Sequence, residues 1–419
     1  MNSKILVGKA IKFNPSELIS KGSVAKKIPM GALTEFQRKI NGFEYSEYNS
    51  GPKFRNGDTL VAKITPCLEN GKTAFVDILE NDEVAFGSSE FIVLRRTEYT
   101  TPEFIYYFAR SPLFRERAIS CMEGTSGRKR VNENSLKNLE FIFPDLPTQK
   151  SIAKVLSDLD AKIELNNKIN RELETMAKTL YDYWFVQFDF PVRTLSGVEG
   201  YKSSGGKMVY NAELKREIPE GWEVKNIGSI ILKRTDKTTS IESKNILNEG
   251  LYPVITQDNG DFISGFTNEN NPITDLPLIV FGDHSCTLRY IDFPFLRGAD
   301  GTQIMYFEAD LTIYVYLFLQ KIITQIPGYG KYERHYKYLK EFNIVIPNAK
   351  YLREFQKIVE PIFNKISKSR FQNQHLIALR DWLLPMLMNG QVTVRQTHGK
   401  LETEERLNMA AEPSVKYGS

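Results

Sequence analysis

The chain has little cysteine, little histidine and no long apolar run. Its three cysteines, Cys67, Cys121 and Cys286, are too few and too scattered for a disulfide framework, the pattern of a reducing compartment. His284, His335, His375 and His398 stand too far apart to form a local ligand pair, and no cysteine pair has ligand spacing, so no metal site is expected. No apolar stretch approaches the roughly 18 residues of a membrane-spanning helix. The opening MNSKILVGKAIKFN carries no apolar core of a secretory signal, so a cytoplasmic protein without membrane association is expected. Charge of one sign is missing too: 55 Lys and Arg against 51 Asp and Glu leave a formal net charge of +4. Affinity for an anionic partner must therefore come from placement, not from the total.

Catalytic loops are lacking as well. A phosphate-cradling loop needs a lysine after its second fixed glycine, and Gly200 to Lys207 places Gly206 there. An amino-methyltransferase needs an Asn/Asp-Pro-Pro-aromatic loop, and Asp189-Phe190-Pro191 lacks the tandem prolines. No catalytic residue is expected.

What the chain does have is a repeat. Its 419 residues suggest about two or three domains at roughly 150 each. SLKNLEFIFPDLPTQKSIAKVLSDLDAKI, around Leu136, aligns without gaps on KYLKEFNIVIPNAKYLREFQKIVEPIFNKI, around Leu339, at an offset of 203. The offset pairs Leu139 with Phe342, Pro144 with Pro347, Val155 with Ile358 and Ile163 with Ile366. Each half closes in a long helical pattern. Ile152, Leu156, Leu159 and Ile163 step by four and three; the stripe resumes after Asn166 at Ile169, Leu173, Met176 and Leu180, which reads as a stammer in a coiled-coil seam. The second copy carries Phe355, Ile358, Ile362 and Ile366, then Leu376, Leu379 and Leu383, with Pro361 predicting a kink or a late start.

Before each helix the chain reads as strands (TLVAKI, TAFVDIL, EFIVL; LPLIVFG, TLRYI, TQIMYF) followed by a shorter helix. The expected fold is α+β: two globular domains separated by two long antiparallel coiled-coil helices, a pseudo-twofold internal repeat. The expected boundaries are 1–146 and 218–350 for the globular domains, 147–190 and 351–392 for the helices, 191–217 for a Gly/Ser-rich linker, and 393–419 for a peripheral or partly disordered tail. A helix of about 36 residues spans roughly 55 Å, about one and a half turns of B-DNA at ~34–36 Å per turn.

LYDYWFVQFDFP from Leu180, IPEGWEVKNIGSI from Ile218 and LRDWLLPMLMNGQV from Leu379 stand in an order that resembles the DNA-specificity subunit of type I restriction-modification systems. The first half starts without a PEGW-like opening, a departure from that pattern. The resemblance implies a non-catalytic subunit whose two target-recognition domains each read half of a bipartite, asymmetric duplex DNA target. It implies docking of two methyltransferase subunits, which methylate an adenine in each half-site, and of motor-nuclease subunits. S-adenosylmethionine, ATP and Mg would then belong to the partners, with no cofactor in this chain. The alternatives are a self-sufficient DNA-modifying enzyme and a coiled-coil protein scaffold.

Basic, turn-rich loops are where such a function would sit. GTSGRKRVNENS places Arg128, Lys129 and Arg130 beside two glycines; at the same offset PGYGKYERHY places Lys331, Tyr332 and Arg334. Arginine can bond bidentately to guanine, lysine pairs with phosphate, and small residues permit close approach. A solvated turn would carry the same charges. Lys63 and Lys72 flank the loop TPCLENG, and FGDHSCTLRY offers His284 and Arg289 at the corresponding place; these complete the expected DNA-binding set. Cys286 reads as a core-edge residue. Trp184 and Phe185, ending the first long helix, are assigned to packing between domains and, after that, to the methyltransferase interface.

Overall fold

The computed structural model describes residues 3–125, 127–194, 197–203, 207–234, 238–299 and 301–394. The chain forms two compact units, Met1–Glu164 with Asn373–Ser419 and Leu165–Gln372, so the division falls inside both long helices.

In the first unit the strand Thr59–Ala62 lies between Phe91–Arg96 and Thr73–Phe75, all antiparallel, with Ile11–Phe13 beyond. These strands are apolar on both faces because both faces are buried. Leu60 and Val93 point into one core, Val61, Ile92 and Leu94 into another, following the two-residue period of a strand. Helix Pro102–Arg110 seals the second core with Phe104 and Phe108, packed on Phe141 and Phe143. A second sheet runs Glu44–Glu47, Val24–Ile28, Ala85–Gly87, Lys53–Phe54, its middle pair parallel. Ser3–Leu6 pairs antiparallel with Glu140–Phe143, tying the start of the unit to the residues just before the long helix.

The second unit repeats this plan. Leu278–Gly282 lies between Leu288–Ile291 and Thr302–Met305, with Ile279 and Phe281 in one core and Leu278 and Val280 in another. A second sheet again contains parallel pairs, here Leu296–Gly298 against Ser240–Ile241 and Tyr252–Ile255. Helix Ala309–Ile322 takes the sealing role, and Glu223–Asn226 pairs with Asn343–Ile346 as the closing ladder. The closing strands begin at 140 and 343, the offset of 203 read from the repeat.

The long helices are Leu146–Tyr181 and Ala349–Met388. In the first unit Asp160 meets Arg380 at 2.7 Å and the Asn373 side-chain amide donates to the Ile163 carbonyl at 3.5 Å. In the second, Asn166 meets Gln372 at 2.9 Å, Glu174 meets Arg370 at 2.8 Å, and the rings of Tyr181 and Phe355 lie 6.5 Å apart. Partner numbers fall on one helix as they rise on the other, so within each unit the pairing is antiparallel. The stammer expected at Asn166 is absent. Asn166, Asn170 and Ala177 are themselves buried while Met176 is half exposed, so the three-four stepping continues through polar and small residues. Leu379, read as seam, is also exposed; the neighbouring Arg380 turns inward to reach Asp160. The second helix runs unbroken through Pro361, whose ring removes one hydrogen bond from a forty-residue helix held along its length by packing.

After Tyr181 the first helix widens by one turn, Asp182–Val186, where the Gln187 N–H donates to the Asp182 carbonyl. That turn carries Trp184 and Phe185 into the core, 1% and 2% exposed, against Phe355, Phe190, Trp222 and Tyr314. Their assignment to a partner interface is corrected: no ring surface is left for a partner, and both hold the second unit together. In the stretch expected as a linker, Asp189–Thr194 and Gly197–Ser203 form a hairpin, and Met208–Asn211 pairs with Arg216–Pro219. Residues 195–196 and 204–206 of that stretch, and 395–419 of the expected tail, lie outside the described residues.

Candidate nucleic-acid interface

Both basic loops are anchored by the same backbone device. In the first unit Met122–Glu123 pairs with Arg130–Val131, and the intervening turn uses Gly124 and Gly127 at positive φ, which side chains resist. The Val131 N–H donates to the Lys63 carbonyl at 2.9 Å, one residue beyond the central strand. The Thr65 N–H donates to the Lys129 carbonyl, and the Lys129 N–H to Thr65 Oγ1. In the second unit the His335 N–H donates at 2.9 Å to the carbonyl of Asp283, again one residue beyond the central strand, and the Asp283 carboxylate accepts the Tyr336 N–H. His335 itself is fully buried, its ring nitrogens 3.2 and 3.1 Å from the carbonyls of Pro327 and Lys331, a staple across the loop.

The structure thus brings Lys63 together with Arg128, Lys129 and Arg130. Arg128 and Lys129 are exposed and make no ion pair among the described residues. Lys63 lies 3.7 Å from Glu133, and Lys72 closes the far side of the TPCLENG loop through its N–H to the Cys67 carbonyl. Arg130 differs from its neighbours. Its Nε and Nη2 donate to both oxygens of Glu90 at 2.8 to 3.1 Å, and this bonding holds the Glu90 carboxyl below its ordinary range. A fork already filled by a carboxylate is not offered to guanine, which corrects the expectation for Arg130.

In the second unit the same comparison gives the opposite result. The Lys63 N–H donates to the Glu90 carbonyl and the Asp283 N–H to that of Gly301, so Glu90 and Gly301 are equivalent, as are Arg130 and Arg334. With no side chain at Gly301, Arg334 is exposed and without an ion pair among the described residues. It lines a cleft of about 250 Å³ with Asp283, His284, Gly301, Gln303 and Tyr332. The rings of His284 and Tyr332 stack at 4.6 Å and 10°, and His284 Nδ1 lies 3.1 Å from the Glu333 carbonyl. Lys331 is exposed at the loop tip.

Arg289 does not belong to this surface. It is 5% exposed and donates to the carbonyls of Thr256, Asp258 and Asp261, bracing the 256–261 loop from beneath. Cys286 is buried and its thiol is pushed up to about 11 by burial. Sequence reasoning passed over Gln303, hidden in an apolar strand pattern. It also passed over Trp382, quoted within LRDWLLPMLMNGQV but not weighed, which is 56% exposed beside exposed Leu379. Among the described residues no group of three or more His, Cys, Asp and Glu could hold a metal ion, and no helix is long and apolar enough to cross a membrane.

Two α+β units of one plan each present a basic loop anchored beyond the central strand. Residues 8–175 match the family model described as the type I restriction modification DNA specificity domain. The chain is 27% identical to the MjaIX type I restriction enzyme specificity subunit of Methanocaldococcus jannaschii, over 70% of each chain. It is 25% identical to the HindI specificity subunit of Haemophilus influenzae, over 81% of this chain and 87% of that one. Its fold is similar to the crystal structure of a type I restriction-modification S subunit from M. genitalium (TM-score 0.54, 17% identity, 94% and 96% covered). The family model and both relatives are similar to this chain under one description, the DNA-specificity subunit of a type I restriction-modification system.

Proposed function

We propose that the chain is the DNA-specificity subunit of a type I restriction-modification system, that it reads a bipartite, asymmetric duplex DNA target with one half-site per unit, and that it is itself non-catalytic. The observation that carries this reading is the shared anchoring of the two basic loops combined with their different side chains. A common anchor gives both units the same way of presenting a loop; Arg128 and Lys129 in one and Lys331, Tyr332 and Arg334 in the other give two different hydrogen-bonding surfaces. Two methyltransferase subunits, carrying S-adenosylmethionine and methylating an adenine in each half-site, dock on the long helices. Motor-nuclease subunits supply the ATP- and Mg-dependent restriction activity. Both long helices expose apolar residues, Leu165 and Met176 on the first and Leu379 and Trp382 on the second; Trp382, the one exposed aromatic among these four, favours the second helix for docking.

The test is selection of the full chain against a duplex library with a randomised core of about three turns of B-DNA. Two unlike half-sites separated by a spacer of fixed length are expected, with affinity falling steeply as salt rises because bound counterions are released. A palindromic or continuous consensus would overturn the two-reader model. Enrichment of no sequence would favour the scaffold reading, and methyl transfer by the isolated chain would favour the enzyme.

A further inference from the structure

The cleft of the second unit holds polar side chains with no partners of their own. Gln303 stands opposite Phe281 in the central ladder and is half-buried, and its amide makes no hydrogen bond among the described residues. Arg334 is uncommitted because Gly301 stands where the first unit has Glu90. A side chain at Gly301 is opposed twice, by a φ of +66° and by the Gln257 amide that a Cβ would strike, so the cleft is held open. One wall is the His284–Tyr332 stack and the floor is fixed by the Asp283 carboxylate on the Tyr336 N–H. The cleft, of about 250 Å³, is lined by polar side chains that a base edge could meet.

A primary amide presents a donor and an acceptor side by side. In the major groove adenine alone matches that pair, with N7 accepting and N6 donating; guanine shows two acceptors there, and cytosine a donor. We propose that Gln303 is a specificity-determining residue that reads one adenine in the half-site of the second unit. Its amide oxygen accepts from N6 and its amide nitrogen donates to N7, with Arg334 as the neighbouring cation. This rests on the DNA-reading function proposed above.

The same duplex-library selection, run with the full chain and two variants, tests it. Gln303→Met keeps the length of the side chain without its hydrogen bonds, so one adenine should become degenerate while every other position is retained. Gln303→Glu offers acceptors only, which repel N7 and suit the cytosine amine, so preference at that position should move from adenine to cytosine, by about 5- to 150-fold. A wild-type consensus that both variants reproduce unchanged overturns the adenine reading alone. So does a Gln303→Glu protein that enriches nothing while Gln303→Met keeps the full wild-type consensus. A wild-type chain that enriches no consensus overturns the DNA-reading function and the adenine reading together.

Discussion

Arg130 and Arg334 hold equivalent places one residue before the same backbone anchor, yet only one is free. Glu90 closes on Arg130 with both oxygens, whereas Gly301 leaves Arg334 open. Glu90→Gln should therefore release a cation beside Arg128 and Lys129. The expected result is tighter nonspecific binding to duplex DNA and a log–log salt slope steeper by about 0.9, the increment for one more neutralised phosphate; an unchanged slope would show that Arg130 faces away from DNA. The pair also carries a pH signature. Hydrogen bonding from Arg130 lowers the Glu90 pKa in the folded chain, so its stabilisation is fully present above the ordinary glutamate value. It is lost as pH falls through the lowered one. Thermal melts of the native and Glu90→Gln proteins should differ near neutrality by a small margin, both groups being partly exposed, and should converge in acid.

The long helices show how an element can be legible while its seam is not. Three-four stepping of Ile152, Leu156, Leu159 and Ile163 was enough to predict the first helix; beyond it Leu173 and Leu180 pack inward as read, but Met176 does not. Seam positions there are Asn166, Asn170 and Ala177, which an apolar count skips, and Arg380 displaces Leu379 because its charge has a partner that the sequence does not announce. Asp160 accepts from both Tyr107 and Arg380, which are 7% exposed or less, so the ion pair is removed from water. Breaking a buried pair strands one charge and typically costs about 3–5 kcal/mol, whereas replacing both partners with apolar residues can be neutral. Arg380→Leu alone should accordingly lower the urea midpoint by far more than Asp160→Leu/Arg380→Leu does, followed by circular dichroism. Equal losses in the two proteins would mean that the pair contributes packing and not charge.

At the scale of the whole molecule, the offset of 203 carried most of what could be read from sequence. It located both closing strands, both long helices and both basic loops, because a duplicated hydrophobic pattern survives where side-chain identity does not. What it could not carry are pairings between distant residues, Glu90 with Arg130 or Asp283 with His335, which exist only once strands are in register. For the aromatic signature residues composition does not say which side of a helix end is inside: Trp184, read first as packing between domains and second as a methyltransferase interface, lies in the core of the second unit, while Trp382 lies outside. An exposed tryptophan with Leu379 one turn before it is apolar area that a solvated helix face does not need, and a partner that covers it would gain from its burial. Trp382→Glu should therefore leave the melting temperature and the selected DNA consensus of the full chain unchanged. It should reduce retention of a co-expressed methyltransferase subunit on the tagged chain by about tenfold or more, the scale of a buried aromatic anchor. Undiminished retention would place methyltransferase docking elsewhere on the chain.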